Sequence, residues 1–290
     1  MATEALVRHL APAIEPTWGA VDAAADAGAE EHELPSLDFG GTRVHQVDRP
    51  WAVDLLRDFV QSGRPHRIVT VNLDFLSLAE RNPAFRSAIN TADLSVADGM
   101  PLVWVSRLRG RPIPERVTGV DLVHDACDLA VELGRGIFLL GGRPGVAATA
   151  AERLQELHPG LQIAGVFAPP PLPLSREDHE RAIELIQAAA PAFLFVGVGA
   201  PAQDLWIANT LPDLNVGVAL GVGGVFDVLA GRSQRAPRWM QNAGLEWAYR
   251  LGREPRRLWR RYVCDDVPTL ARLVLDTGRR PASGPMVAST

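Results

Sequence analysis

Apolar residues along the chain fall into short continuous runs separated by stretches of helical period. The runs Arg43–Val47, Ile68–Asn72, Leu94–Ala97, Gly136–Leu140, Gln162–Phe167, Phe193–Gly197 and Val216–Leu220 are rich in Val, Ile and Leu. Runs of this length are expected for strands covered on both faces. Between them, helical patterns cover Trp51–Gln61, Met100–Arg109, Gly119–Leu133, Gly145–Leu157, Ser175–Ala189 and Ala202–Thr210. Strand then helix, repeated, requires parallel pairing and right-handed crossovers. The expected fold is α/β: mainly parallel sheets with flanking helices, two Rossmann-like halves, and a helical C-terminal appendage.

The pattern also divides the chain. Residues 1–36 are rich in Ala, Glu and Asp and poor in large apolar groups, so a disordered arm is expected there. The α/β core is expected over 37–230, a basic helical appendage over 231–275 and a flexible tail over 276–290. The stretch Ala168–Pro173 is too rich in proline to continue a strand or helix.

Composition narrows the class. With 290 residues, 47% of them hydrophobic, the chain can bury a sizeable core. Cys127 and Cys264 are too few for a disulfide framework and suit a reducing compartment. No secretory pattern is seen, and no apolar run approaches the roughly 18 residues of a membrane span. A cytoplasmic protein, at most lying on a membrane, is expected. The net charge of -5 argues against nucleic-acid binding.

Candidate chemistry collects where strands end, which is where open α/β sheets bind ligands. Thr70 and Asn72 close one strand, and period-two alternation puts them on one face. They suit a sugar or phosphate; Asn72 equally suits a helix cap. Asp98, before Gly99, is either a turn residue or a general base whose pKa a partly dry cleft would raise. Arg116 is a surface charge or a phosphate clamp, and Thr118 an N-cap. Two glycine-rich turns follow, one with Gly141, Gly142 and Gly145, the other with Gly197 and Gly199. Such turns let backbone approach a pyrophosphate at a helix amino end. The second matches a loose dinucleotide pattern, but the acid expected about 20 residues on is missing, which disfavours a nicotinamide cofactor. Gln203 and Asp204 suit a ribose or sugar, or simply the first turn of a helix. The histidines and cysteines form no metal-ligand spacing, so neither metal nor cofactor is expected.

From Arg232 to Tyr262 the acidic chain turns basic and aromatic. Arg250, Arg253, Arg256, Arg257, Arg260 and Arg261 interleave with Trp247, Tyr249, Trp259 and Tyr262. Tryptophan with arginine suits a membrane interface; the alternative is a basic helix packed on its own domain.

These segments, taken in order, resemble the bacterial WecG/TagA/CpsF glycosyltransferases over roughly residues 40–265. The resemblance rests on Thr70-Val-Asn72, Asn82-Pro-x-Phe85-Arg86, Ala97-Asp98-Gly99, Glu115-Arg116-Val-Thr118-Gly119, Phe138-Leu-Leu-Gly-Gly142, Gly197-Val-Gly199-Ala-Pro201-x-Gln203, Gly221-Val-Gly223-Gly-Val-Phe226-Asp227, Arg235-Ala-Pro237, and Glu246-Trp247 followed by Arg250 and Glu254-Pro255-Arg-Arg257. It implies inverting transfer from a UDP-sugar to a polyprenyl-diphosphate-linked sugar at the inner membrane face, in cell-surface polysaccharide synthesis. By the resemblance, Asp98 is the base, and Thr70 and Asn72 bind substrate. Arg116 lies near the active site, and Gly142, Gly197, Gly199 and Gln203 belong to the nucleotide-sugar half. One of Arg250, Arg253 and Arg257 delivers a cation to the diphosphate, from an appendage that touches the membrane. Ala202 and Asp204 stand where many members have lysine and glutamate, which leaves the donor sugar open. The rival reading is a non-catalytic nucleotide or lipid-headgroup binding module.

Overall fold

The computed structural model describes residues 34–169 and 174–276. The expected N-terminal arm up to residue 33, the proline-rich loop at 170–173 and the tail from 277 lie outside them, as do the side chains of Asn242 and Arg257.

A short antiparallel hairpin comes first, β1 (Ser36–Asp38) with β2 (Arg43–His45), Leu37 opposite Val44. His45 fastens it to the core by accepting at Nδ1 from the Ser95 amide, 2.8 Å away. Burial holds that imidazole neutral, with its pKa lowered to about 4. Then come α1 (Arg49–Gln61), β3 (His66–Val71), α2 (Leu73–Arg81), α3 (Pro83–Asn90), β4 (Leu94–Ala97), α4 (Met100–Leu108) and α5 (Gly119–Glu132). The second half contains β5 (Gly136–Gly141), α6 (Val146–Leu157), β6 (Gln162–Phe167), α7 (Arg176–Ala189), β7 (Phe193–Gly197), α8 (Ala202–Thr210) and β8 (Val218–Gly221).

The two halves share one six-stranded sheet in the order β4-β3-β8-β7-β5-β6, parallel at every pairing. Alternation sorts the strand side chains between its faces. Phe193 and Phe195 pack beneath α1, α5 and α6, whereas Leu194 and Val196 join the layer of α7 and α8. Val69 and Val71 likewise face α2, α3 and α4. The interior strands β3, β7 and β8 are buried throughout, while edge strand β6 alternates between exposed and half-buried residues.

Two corrections to the sequence reading concern the first half. Strand β3 stops at Val71, one residue short of the expected end; Asn72 follows in extended backbone as the N-cap of α2, the capping role that the sequence offered for it. Helices α2 and α3 occupy a stretch for which the sequence reading gives no helical range, although a helix capped by Asn72 is one reading of that residue. Each has an asparagine N-cap: Asn72 accepts from Phe75 N at 3.1 Å and Asn82 from Phe85 N at 3.0 Å.

Past β8 the chain is helical: α9 (Val225–Leu229), α10 (Arg238–Asn242), α11 (Glu246–Arg253), α12 (Pro255–Arg260), a π-helical turn (Arg261–Asp266) and α13 (Val267–Asp276). This segment arches over the edge where the strands end. Arg235 ties its root to Asp121 of α5. Gly244 packs against Met100 and Trp104 of α4, with no space for a side chain. Its far end returns to the core through buried Leu273, the Arg272–Glu80 ion pair and the bond from Arg109 to the Leu273 carbonyl. Among the described residues, no helix is long and apolar enough to cross a membrane.

Phe226 of α9 wedges beneath the second glycine turn, and a Cβ built on Gly197 would fall 2.5 Å from its ring. Gly197→Ala is therefore expected to lower stability by about 1–3 kcal/mol, the usual cost of overpacking. The urea midpoint should fall accordingly; an unchanged midpoint would show that the ring yields freely.

Candidate active site

All six strands run the same way, so their carboxyl ends line one edge. Asp98 emerges there one residue beyond β4, its amide bonded to the Val71 carbonyl of β3 at 2.8 Å. Gly99, not Asp98, occupies the N-cap position of α4, and no side chain caps that helix. The carboxylate is thus left to the cleft. Val117 donates to the Ala97 carbonyl at 2.9 Å, which lays Arg116-Val117-Thr118 alongside the strand exit. That pairing brings the Gly119 amide to Asp98 Oδ2 at 3.3 Å. Thr70, 6% exposed, lies against the same glycine.

Asp98 retains some exposed surface, but protein encloses it on most sides. Desolvation pushes its pKa up from the usual carboxylate value to about 7, against the pull of Arg116, the Gly119 amide and Arg250; Glu246 adds to the rise. The cations fall short because one carboxylate neutralises both. Glu246 Oε2 accepts from Arg116 at 2.9 Å, and Oε1 from Arg250 at 3.0 Å. The side chains of Arg116 and Glu246 are 14% and 13% exposed. Burial opposes the Glu246 charge, but Arg116 and Arg250 prevail and hold its pKa below the usual range.

A second ionic knot stands beside the first. Thr118 caps α5, accepting from the Asp121 amide at 3.2 Å and donating to Asp121 Oδ2 at 2.6 Å. Arg235 grips Asp121 with both terminal nitrogens and also reaches Thr118 Oγ1. The α5 start is thereby locked to the root of the arch.

The structure separates the remaining candidates. The carboxamide oxygen of Asn72 is committed to its helix cap, which leaves the amide NH2 group for a ligand. Gln203 is 2% exposed, and its oxygen accepts from the amides of both Gly199 (3.1 Å) and Gly223 (2.9 Å). It braces two turns from below instead of presenting itself at the surface. The Gly142 amide donates to the Gly197 carbonyl at 2.8 Å. The amides of Gly142 and Gly199 are thus already bonded, contrary to a simple phosphate cradle. Gly199 offers close approach instead, with φ +90° and open space where a side chain would stand, while Gly142 packs against Phe226 and Ala147. Three helices leaving this edge, α4, α6 and α8, start without a side-chain cap. Of their first amides, Leu102, Val146 and Gln203 already bond the Gly99, Arg143 and Gly199 carbonyls and Pro101 has no N–H, so what these ends offer is chiefly the positive end of the helix dipole.

Of the three arginines left open by the sequence, Arg250 is the one paired near Asp98. Arg253 is exposed and makes no ion pair among the described residues, and the side chain of Arg257 falls outside them. Sequence reasoning missed Glu246, Arg235 and Asp121 as site residues. The four-residue spacing of Glu246 and Arg250 on one helix was a usable signal. Nothing local could join Arg235 to Asp121, which lie 114 positions apart.

Comparison with known proteins accords with this arrangement. The family model described as "Glycosyl transferase WecG/TagA/CpsF family" matches residues 37–283. A relative from Bacillus spizizenii, named N-acetylglucosaminyldiphosphoundecaprenol N-acetyl-beta-D-mannosaminyltransferase, is 34% identical over 215 residues, covering 74% of this chain and 80% of its own. A Staphylococcus aureus relative of the same name is 30% identical over 230 residues, covering 79% and 87%. With a carboxylate at the strand exit, arginines over it and this likeness along most of its length, the chain belongs to the WecG/TagA/CpsF glycosyltransferase family.

Proposed function

We propose that the protein transfers a sugar from a UDP-sugar to a polyprenyl-diphosphate-linked saccharide, by a single inverting displacement with Asp98 as general base. The observation that carries this reading is the Asp98 carboxyl, raised to about 7 at the mouth of the sheet beneath Arg116 and Arg250. A base with a pKa near the working pH combines a usable ionised fraction with real proton affinity. Asp98 takes the proton of an acceptor hydroxyl. The freed oxygen bonds to the anomeric carbon as the bond from that carbon to the diphosphate breaks. UDP leaves with the electron pair, its charge held by arginine and uncapped helix ends without an obligatory metal. Preorganised charge of this kind can supply several kcal/mol.

The relatives' names give N-acetylglucosaminyldiphosphoundecaprenol as acceptor and N-acetylmannosamine as the sugar transferred; joined to the UDP-sugar reading, they direct the first trials to that acceptor with the UDP derivative of that sugar. Thr70, the Asn72 amide and the open surface at Gly199 are assigned to substrate. Gln203 acts by holding the turns in place.

The appendage carries the membrane reading. Trp239, Trp247 and Trp259 are 65%, 46% and 57% exposed, and Arg253, Arg256 and Arg260 are exposed around them. Aromatic rings at headgroup depth with cations on anionic lipid would hold the protein at the inner membrane face, where a lipid-linked acceptor is met.

Three outcomes are expected. Asp98→Asn should abolish release of UDP while raising stability at pH 8, because the wild-type carboxylate must ionise in a site that disfavours it. The folded pKa lies above the unfolded one, so this penalty is absent near pH 3, grows between about 4 and 7, and is complete above. A shift to about 7 corresponds to roughly 4 kcal/mol. Loss of activity with equal or lower stability at pH 8 would count against a desolvated base, and near-normal turnover would remove Asp98 from the mechanism. In the wild type, kcat/KM should rise on an acidic limb centred near pH 7, and EDTA should leave the rate unchanged; a limb near 4 would contradict the assignment. Finally, Trp239→Ala with Trp259→Ala should lower co-sedimentation with anionic vesicles yet spare turnover of a short-chain, detergent-free acceptor. Undiminished vesicle binding would exclude the appendage as the docking surface.

A further inference from the structure

Glu246 is a group that a simple arginine clamp does not need. It stands at the start of α11, 130 positions from Arg116 in sequence, and one oxygen engages Arg116 while the other engages Arg250. A carboxylate between two guanidiniums has the charge and hydrogen-bonding pattern of a phosphate group in the same place. It is also largely removed from water, and it and both arginines are close enough to act electrostatically on Asp98. Glu246 occupies Nη1 of Arg116 and Nη2 of Arg250, so a diphosphate that takes those two donors must displace it.

We propose that Glu246 is a built-in stand-in for the substrate diphosphate: it holds Arg116 and Arg250 beside Asp98 and gives them up when a diphosphate enters. This rests on the reading of the site as a diphosphate-sugar transferase and adds the group that sets its affinity. Three consequences follow from the geometry. Glu246 keeps two like charges together that would otherwise repel and swing into solvent. It competes with the diphosphate, so product leaves more readily. And it partly cancels the arginine field at Asp98 until the substrate replaces it, so Glu246 is a positioning residue and not a catalytic one. Asp98 is faced by Arg116 from the loop before α5, by Glu246 and Arg250 from α11, by Arg235 from the loop before α10, and by the Gly119 amide.

The test is calorimetric titration of the full-length protein and its Glu246→Gln and Glu246→Asp variants with UDP, and separately with a short water-soluble prenyl diphosphate. Glu246→Gln preserves shape and removes the competing charge. Its affinity should rise by roughly tenfold, in line with the strength of a charged hydrogen bond. Glu246→Asp, which retains the charge, should stay closer to wild type. Tightening for UDP identifies the donor's diphosphate as the displacing group, and tightening for the prenyl diphosphate identifies the acceptor's. In turnover assays Glu246→Gln should lower KM and kcat together, as release slows, and move the acidic limb of the pH profile to lower pH.

A merely structural role predicts the reverse, weaker binding of both ligands, and that result would overturn the proposal. So would unchanged affinity for both in a variant whose thermal unfolding matches wild type. If wild type turns over a UDP-sugar but Glu246→Gln binds no tighter, the exchange alone is wrong. If wild type binds neither UDP nor the prenyl diphosphate, the transferase reading falls with it.

Discussion

The parallel direction of every strand in the central sheet is the constraint from which the site follows. Parallel strands need crossovers, crossovers put helices on both faces, and all strand exits then gather at one edge. Asp98 after β4, Asn72 after β3 and the glycine turns after β5, β7 and β8 share a rim only because of this. The helices that leave that rim point their amino ends inward, so the same constraint supplies positive potential without a charged residue.

Against this background the appendage adds charge in a controlled way. Arg116 and Arg250 would, unopposed, draw the Asp98 proton off at low pH. Glu246 neutralises much of that field, and desolvation prevails. The four groups come from three places in the chain, Asp98 from the β4 exit, Arg116 from the loop before α5, and Glu246 and Arg250 from α11. Their balance is set by burial and separation, since the same residues in water would interact by only about 1 kcal/mol at contact distance. The Arg235–Asp121 knot keeps that balance fixed by anchoring the arch where α5 begins.

The glycine turns show a different use of backbone. Gly142 and Gly199 have left-handed φ angles, +81° and +90°, and their amides are bonded internally, one to the Gly197 carbonyl and one to Gln203. Gly199 contributes an open, close surface held by Gln203, whereas Gly142 lets its turn pack against Phe226 and Ala147. Asp204, 1% exposed beside it and pushed by burial to about 7, completes a polar layer under the rim.

What was legible in the sequence was what local chemistry determines. Continuous runs such as Phe193–Gly197 are apolar on both sides because both faces are covered, so alternating strand and helix could be read off directly. Asp98-Gly99 and the glycine turns betrayed themselves because a strand exit needs residues that bend or bind. Helices α2 and α3 have no range in the sequence reading because their short amphipathic turns depend on caps, Asn72 and Asn82, whose side chains could equally serve a ligand; only the cap at Asn72 is offered by that reading, and it is present. The sequence by itself determined the fold class and the rim residues, since both follow from period and backbone geometry. The tertiary structure alone decided that Gln203 lies buried as a brace, that Arg250 and not Arg253 pairs over the acid, and that Glu246 joins Arg116 to Arg250. Those facts depend on which distant segments meet and how much water they exclude, and no local pattern carries that information.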